Sequence, residues 1–377
     1  MMDENKKVML TDTTLRDGEQ SPGVVFSFDD KRDIFHLLEK CGVQEIEIGS
    51  PFISDTDRKH IIQLNKEKQT IKTACWSRAL KADIDMARDT VSDGVNISCS
   101  VSDIQLNAIG KNRDWALQRI KDSLIYGRDY FGYVCAGAQD ASRANADFLL
   151  EYCYTAWQAG ARRVRIADTV GNLDPFSTYE LICKIKNTIP ALELEFHAHN
   201  DLGMATANTL AAAKAGAGFL SVTVGGLGER AGNAALEQVA MALEYTSEIK
   251  TGLNTMLFIP LAQRVARASN RPVPEANPVT GKLALAHESG IHTRSLLACR
   301  DTYQLIPAST LGVDENMFVF GRHSGCAALN DFLITNNIYL SKDELTKLLK
   351  KIKTKATLLK GAVSQQEILL LCRQLVQ

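Results

Sequence analysis

From residue 8 to about residue 246, short β-like runs and helical patterns alternate eight times, and few folds accommodate that rhythm. The runs are Val8–Thr14, Val43–Gly49, Ile71–Trp76, Val95–Ser100, Tyr130–Ala136, Arg163–Asp168, Leu192–His199 and Phe219–Val224. Each is followed by apolar residues at helical spacing, as in Ile34/Leu37/Leu38 and Leu236/Val239/Ala240/Leu243. Eight strand–helix units in roughly 240 residues match the count and length of a (β/α)8 barrel. A doubly wound sheet is the alternative, and it predicts a glycine-rich fingerprint after the first strand. Here the first strand runs instead into Leu15-Arg16-Asp17-Gly18-Glu19-Gln20. The expected fold is therefore α/β, a TIM barrel.

Past residue 250 the pattern changes. Arg271-Pro272-Val273-Pro274-Glu275-Ala276-Asn277-Pro278 is a breaker-rich link. Ser341 and Glu344 have capping-box spacing and open a helix with Leu345, Leu348, Leu349 and Ile352 on one side, its lysines forming a solvated face. The expectation is a catalytic barrel over 1–250 and a mainly helical C-terminal extension over 251–377.

Several function classes are disfavoured. With 43 basic and 44 acidic residues there is no basic field for nucleic acid. No apolar run approaches the roughly 18 residues that a membrane span needs. The start, Met1–Lys7, has no signal-like apolar segment. Nine scattered cysteines without a CxxC pair read as reduced thiols, so a cytoplasmic location is expected.

The chemistry follows from strand parity, because one side of a barrel strand packs on helices and the other fills the barrel. In Glu193–His199, Leu194, Phe196 and Ala198 form the outward apolar set. Glu195, His197 and His199 face inward, and the histidines come last, at the catalytic end. Imidazoles two residues apart on a strand can converge on one metal ion. A divalent site also needs carboxylate oxygen, and Asp17, just past the first strand, lies close to strands seven and eight once the barrel closes. Taken alone, an HxH pair is as often two core histidines, and an Arg-Asp step is as often a surface ion pair. Glu45, Glu47, Arg163 and Arg165 share the inward parity; ion pairing inside the barrel is the expectation for Glu45 and Arg163, with Glu47 one layer nearer the site. After strand eight, Gly225–Asn233 reads as a glycine-rich turn into a helix start, able to bind an anion. Glu229 and Asn233 there supply an acid–base group and a further metal ligand.

These residues carry a family resemblance. Asp12-Thr13-Thr14-Leu15-Arg16-Asp17-Gly18-Glu19-Gln20, His197-Ala198-His199-Asn200-Asp201 and Gly228-Glu229-Arg230-Ala231-Gly232-Asn233 resemble the acyl-CoA-condensing branch of the DRE-TIM metallolyase superfamily. The likeness runs from about residue 7 to 330. Within the branch the chain looks most like nitrogen-fixation-type homocitrate synthases, through Arg113–Leu117, Asp140–Ala144, Ala167–Gly171 and Ala205–Leu210.

The resemblance implies a Claisen condensation of acetyl-CoA with a 2-oxo acid, followed by thioester hydrolysis, with 2-oxoglutarate as the leading acceptor. It implies one divalent ion, Mg²⁺ or Mn²⁺ before Zn²⁺ or Fe²⁺, held by Asp17, His197, His199 and Asn233. Arg16 would polarise the keto oxygen, with Gln139 and Thr169 as further substrate contacts. His292 looks like the family's base, supported by Glu229, and Tyr303 like its assisting tyrosine. Both stand in an extension that reaches, in relatives, into a partner subunit's barrel, which implies a homodimer with exchanged C-terminal regions. Two departures stand out. Gln139 occupies a place where most relatives carry an acid. Cys135 and Gly137 occupy the strand-five positions where lysine-pathway homocitrate synthases use arginine and serine, which leaves Arg78 as the expected reader of a distal carboxylate. The alternatives are a 2-isopropylmalate, citramalate or Re-type citrate synthase and, from another class, a C–C lyase of the same superfamily.

Overall fold

Eight parallel strands close on themselves in sequence order: β1 Met9–Asp12, β2 Glu45–Gly49, β3 Lys72–Arg78, β4 Gly94–Ser100, β5 Tyr133–Gln139, β6 Arg163–Asp168, β7 Glu193–Ala198 and β8 Phe219–Val222. Closure comes from β1, which pairs with β2 (Thr11 beside Glu45) and with β8 (Thr11 beside Ser221). This computed structural model describes residues 8–314 and 318–376; Met1–Lys7, the start read as having no signal segment, lies outside them.

Alternation decides what each strand buries. One parity of the strands (Leu10, Ile46, Ile97, Val164, Phe196, Leu220) is apolar and fully buried. The other parity holds charge. Arg163 Nη1 donates to Glu45 Oε2 at 3.0 Å, and Arg163 Nε and Arg165 Nε donate to the two oxygens of Glu195 at 2.6 and 2.7 Å. Arg165 Nη1 donates to Glu47 Oε1 at 3.1 Å. Burial pushes the Glu195 carboxyl up, but the two guanidiniums outweigh it and hold the group at about 2.

Strand five sits three residues later than its aromatic content predicts. Tyr130 packs edge-on against Tyr126, beside the end of helix Arg113–Gly127, so the strand begins at Tyr133 and carries Gln139 at its last position.

The first compact unit runs to Val273 and the second starts at Pro274, not near residue 250. Helix Phe258–Ser269 buries Phe258, Leu261, Ala262 and Val265, and Arg264 donates to Asp30 (2.7 Å) and Asp33 (3.1 Å) on helix Phe28–Cys41. These contacts make it part of the barrel unit. The second unit is mainly helical, with Gly290–Ala298, Cys326–Thr335, Lys342–Leu359 and Gln365–Val376. Its core includes Phe320, Leu329, Leu348, Ile352 and Ile368, and the Ser341/Glu344 capping box forms as expected. All nine cysteines are free thiols. Among the described residues, no helix is long and apolar enough to cross a membrane.

Candidate active site

The C-terminal ends of the strands surround a cavity of about 250 Å³. The chain reaches it through a turn that β1 sets up. The Asp12 carboxylate accepts from Thr14 N and Thr14 Oγ1, both at 2.9 Å, and Thr13 O accepts from the backbone N–H of Arg16, Asp17 and Gly18. That fold-back delivers Arg16 and Asp17 to the cavity wall.

Three ligand atoms converge there. Asp17 Oδ2 is 3.0 Å from His197 Nε2 and 4.0 Å from His199 Nε2, and the two Nε2 atoms are 3.3 Å apart. All three side chains are buried, and Asp17 Oδ2 makes no hydrogen bond that meets full geometry. Burial pushes the Asp17 carboxyl up, but Arg16, then His197 and His199, draw it well below the usual carboxylate range. Burial, and next the neighbouring His197, lower His199 to about 4. An ionised carboxylate facing a neutral imidazole is the protonation state that donates lone pairs to a cation. The set therefore fits a divalent ion. Asn233, joined to the His199 backbone by an isolated β-bridge, has its Oδ1 buried without a partner and fits as a further oxygen donor.

Arg16 is held on two sides. Its Nε donates to Glu47 Oε1, and its Nη1 lies 3.3 Å from Asp17 Oδ1. Glu47 in turn accepts from Arg165 and, at 3.2 Å, from Asn96 Nδ2. Arg165 Nη2 lies 2.7 Å from Glu47 Oε2 but off the line of a hydrogen bond. Gln139, Thr169 and Glu229 also line the cavity.

Other expectations change. Arg78 does not line the cavity: its Nε and Nη2 donate to Asp83 at 2.6 and 3.0 Å, and its guanidinium lies over the Phe52 ring. A carboxylate five residues downstream has captured the cation. The turn after β8 is also no helix-start anion site. Helix Leu236–Ser247 begins later, Glu229 and Asn233 sit in the preceding loop, and the Gly225 N–H already donates to Glu237 Oε2 at 3.1 Å. Gly232 makes that loop possible, since a Cβ there would lie 2.0 Å from Gly226 O.

Trp76, Asn96, Ser98 and Arg230 line the cavity without having been singled out from sequence. Asn96 and Ser98 show an inward parity on β4, the one signal available for them. His292 and Tyr303 belong to the second compact unit, where their rings stack at 4.0 Å with His287 5.9 Å away.

A closed eight-stranded barrel with a polar, cation-ready pocket at its C-terminal face defines a TIM-barrel enzyme site. Residues 7–265 match the HMGL-like family, and residues 279–359 match the homocitrate synthase post-HMGL domain-like family. Over 99% of its length the chain is 40% identical to 2-isopropylmalate synthase 2 of Caldanaerobacter subterraneus subsp. tengcongensis, covering 97% of that protein. It is 38% identical to homocitrate synthase 1 of Nostoc sp., over 98% of this chain and 97% of that one. Among solved structures, an HMG-CoA lyase of Bacillus subtilis superposes with a TM-score of 0.64 at 20% identity, over 72% of this chain and 97% of that chain. The chain belongs to the 2-isopropylmalate/homocitrate synthase family, the Claisen-condensing branch of the DRE-TIM metallolyases, and is an enzyme.

Proposed function

We propose that the enzyme condenses acetyl-CoA with 2-oxoglutarate to form homocitrate. The supporting observation is the cavity lining. Trp76 is the single large apolar side chain in it, and the far wall offers Asn96, Ser98, Gln139 and Arg165. A branched aliphatic acceptor offers these polar side chains no hydrogen-bond partner. A second carboxylate can accept from donors there, such as the Ser98 hydroxyl and the Gln139 amide.

A divalent ion at Asp17, His197, His199 and Asn233 would supply Lewis acidity toward a 2-oxo acid. Arg16, kept in place by Glu47, donates to the keto oxygen and stabilises negative charge as it develops there. His292 of a partner subunit, with Tyr303 beside it and Glu229 in support, takes a proton from the acetyl methyl group. The carbanion pair forms the new C–C bond at the keto carbon, and the C=O π pair moves onto oxygen. Water then attacks the thioester, the C–S bond breaks and CoA leaves as the thiol.

The test offers purified enzyme, acetyl-CoA and Mg²⁺ or Mn²⁺ a panel of 2-oxo acids and follows CoA thiol release. 2-Oxoglutarate is expected to give the highest kcat/KM. A rate with 2-oxoisovalerate and none with 2-oxoglutarate would refute the acceptor assignment. His292→Ala is expected to abolish condensation and leave metal binding intact.

A further inference from the structure

Arg230 has a left-handed backbone (φ +52°), uncommon for a residue with a Cβ. Its side chain ties three loops together at the cavity rim. Nε and Nη2 donate to Asp201 Oδ1 and Oδ2 at 2.7 and 2.9 Å, and Nη2 also donates to the Thr169 carbonyl at 2.7 Å. Thr169 follows β6, Asp201 follows β7, and Arg230 lies in the loop after β8.

Each loop also carries a site residue: Thr169 itself, His199 just before Asp201, and Glu229 just before Arg230. Their packing leaves no slack. A Cβ on Gly171 (φ +60°) would lie 2.8 Å from Asp201 Oδ2 and 2.9 Å from His199 O. The Asp168 carboxylate fixes the first loop by accepting from Asn172 N and Leu173 N, both at 3.1 Å. Asn200 N donates to Gly232 O at 2.8 Å, joining the second loop to the third.

We propose that the Asp201–Arg230 pair is a positioning device for the metal-ligating end of the barrel. It holds His199 in register with Asp17 across the loops, and neither member of the pair is among the three converging ligands. The pair is part-exposed, at 43% and 24%, so its contribution to global stability is small and its effect falls on local geometry. The inference rests on reading Asp17, His197 and His199 as a metal site.

The test measures Mn²⁺ affinity by electron paramagnetic resonance on the full-length chain without substrates, alongside Tm. Asp201→Asn, which removes the charge partner, is expected to weaken Mn²⁺ binding roughly tenfold with Tm unchanged. Arg230→Lys, which keeps the charge and loses the fork, is expected to fall between that variant and wild type. Affinities within about twofold of wild type in both variants overturn the inference alone. So does a lowered Tm with unchanged affinity, or loss of cooperative folding in either variant, since the pair is then a structural tie. A wild-type chain that takes up no Mn²⁺ overturns the metal-site reading, and this inference with it.

Discussion

Glu195→Gln is the sharpest probe of how the barrel interior is held together. Its two oxygens accept from Arg163 Nε and Arg165 Nε, and the second also accepts from Ser221 Oγ at 2.5 Å, with the residue fully buried. Glutamine keeps the shape, but it removes the charge and turns one oxygen into a donor facing a guanidinium. Two routes give the magnitude. Breaking a buried ion pair at one partner costs roughly 3–5 kcal/mol. The depression from 4.5 to about 2 corresponds to about 3 kcal/mol of linked stability. The sign is that of a carboxyl whose folded value is lowered: the contribution is full above about 4.5 and is lost as the pH falls toward about 2. Urea unfolding followed by tryptophan fluorescence and circular dichroism measures it. At pH 7 the variant should lose about 3–5 kcal/mol, and the gap should narrow below about pH 4.5. A loss under about 1 kcal/mol at pH 7, or a gap that does not narrow, would refute the claim that this carboxylate holds the layer by charge.

Three further outcomes are expected. In a homodimer with exchanged extensions, mixing Asp17→Asn and His292→Ala chains through unfolding and refolding should restore roughly a quarter of wild-type activity, because half the dimers are hybrid and each hybrid has one intact site; zero restoration places both residues in one chain's site. Asp12 is fully buried, and burial, opposed by Thr14 and aided by the Glu237 charge, raises it from 3.8 to about 7. That carboxyl favours the folded state fully below 3.8, and the benefit is lost as the pH rises to about 7. Asp12→Asn should therefore be increasingly stabilising relative to wild type from pH 5 to pH 8, and denaturation midpoints that run parallel across that range would contradict it. Arg78→Ala should leave the KM for 2-oxoglutarate unchanged, since its guanidinium is committed to Asp83; a large rise in KM would return Arg78 to the site.

The barrel was legible because its signal repeats eight times and each strand sorts its own residues. Glu195, His197 and His199 read as inward because Leu194, Phe196 and Ala198 read as outward, and one strand's parity needs no knowledge of its neighbours. Asn96 and Ser98 have the same parity signal, but a polar strand residue acquires meaning only when closure shows what stands opposite. Arg78 misled for the converse reason: its position on the strand was right, and a competing carboxylate on the next helix decided its direction. Gly225–Asn233 read as a helix start because glycines precede a helix. Gly232 instead allows the loop to close on itself before the helix begins, a contact between residues six apart that no periodicity encodes. The strand-five start failed because Tyr130 and Phe131 favour strands intrinsically, whereas Tyr130 packs on Tyr126.

The ion pairs inside the barrel and the chemistry at its mouth are one system. Arg163 meets Glu195, Glu195 meets Arg165, Arg165 meets Glu47, Glu47 meets Arg16, and Arg16 meets Asp17. Each charge is buried or, at Arg16, nearly so, and each is neutralised by its neighbour; an unpaired buried end would be strongly unfavourable. At the floor the ladder ends on Glu45, which Arg163 engages with two nitrogens. At the mouth it ends on Asp17, whose remaining oxygen faces two imidazoles. Burial keeps one of these, His199, neutral, so it cannot offset the carboxylate's charge. The negative end left there fits a cation, and the direction of the ladder follows from which strands supply acids and which supply arginines. On this argument the cation-ready end of the ladder is a consequence of alternation in β2, β6 and β7, and Glu47 and Asp17 together hold the Arg16 guanidinium beside it.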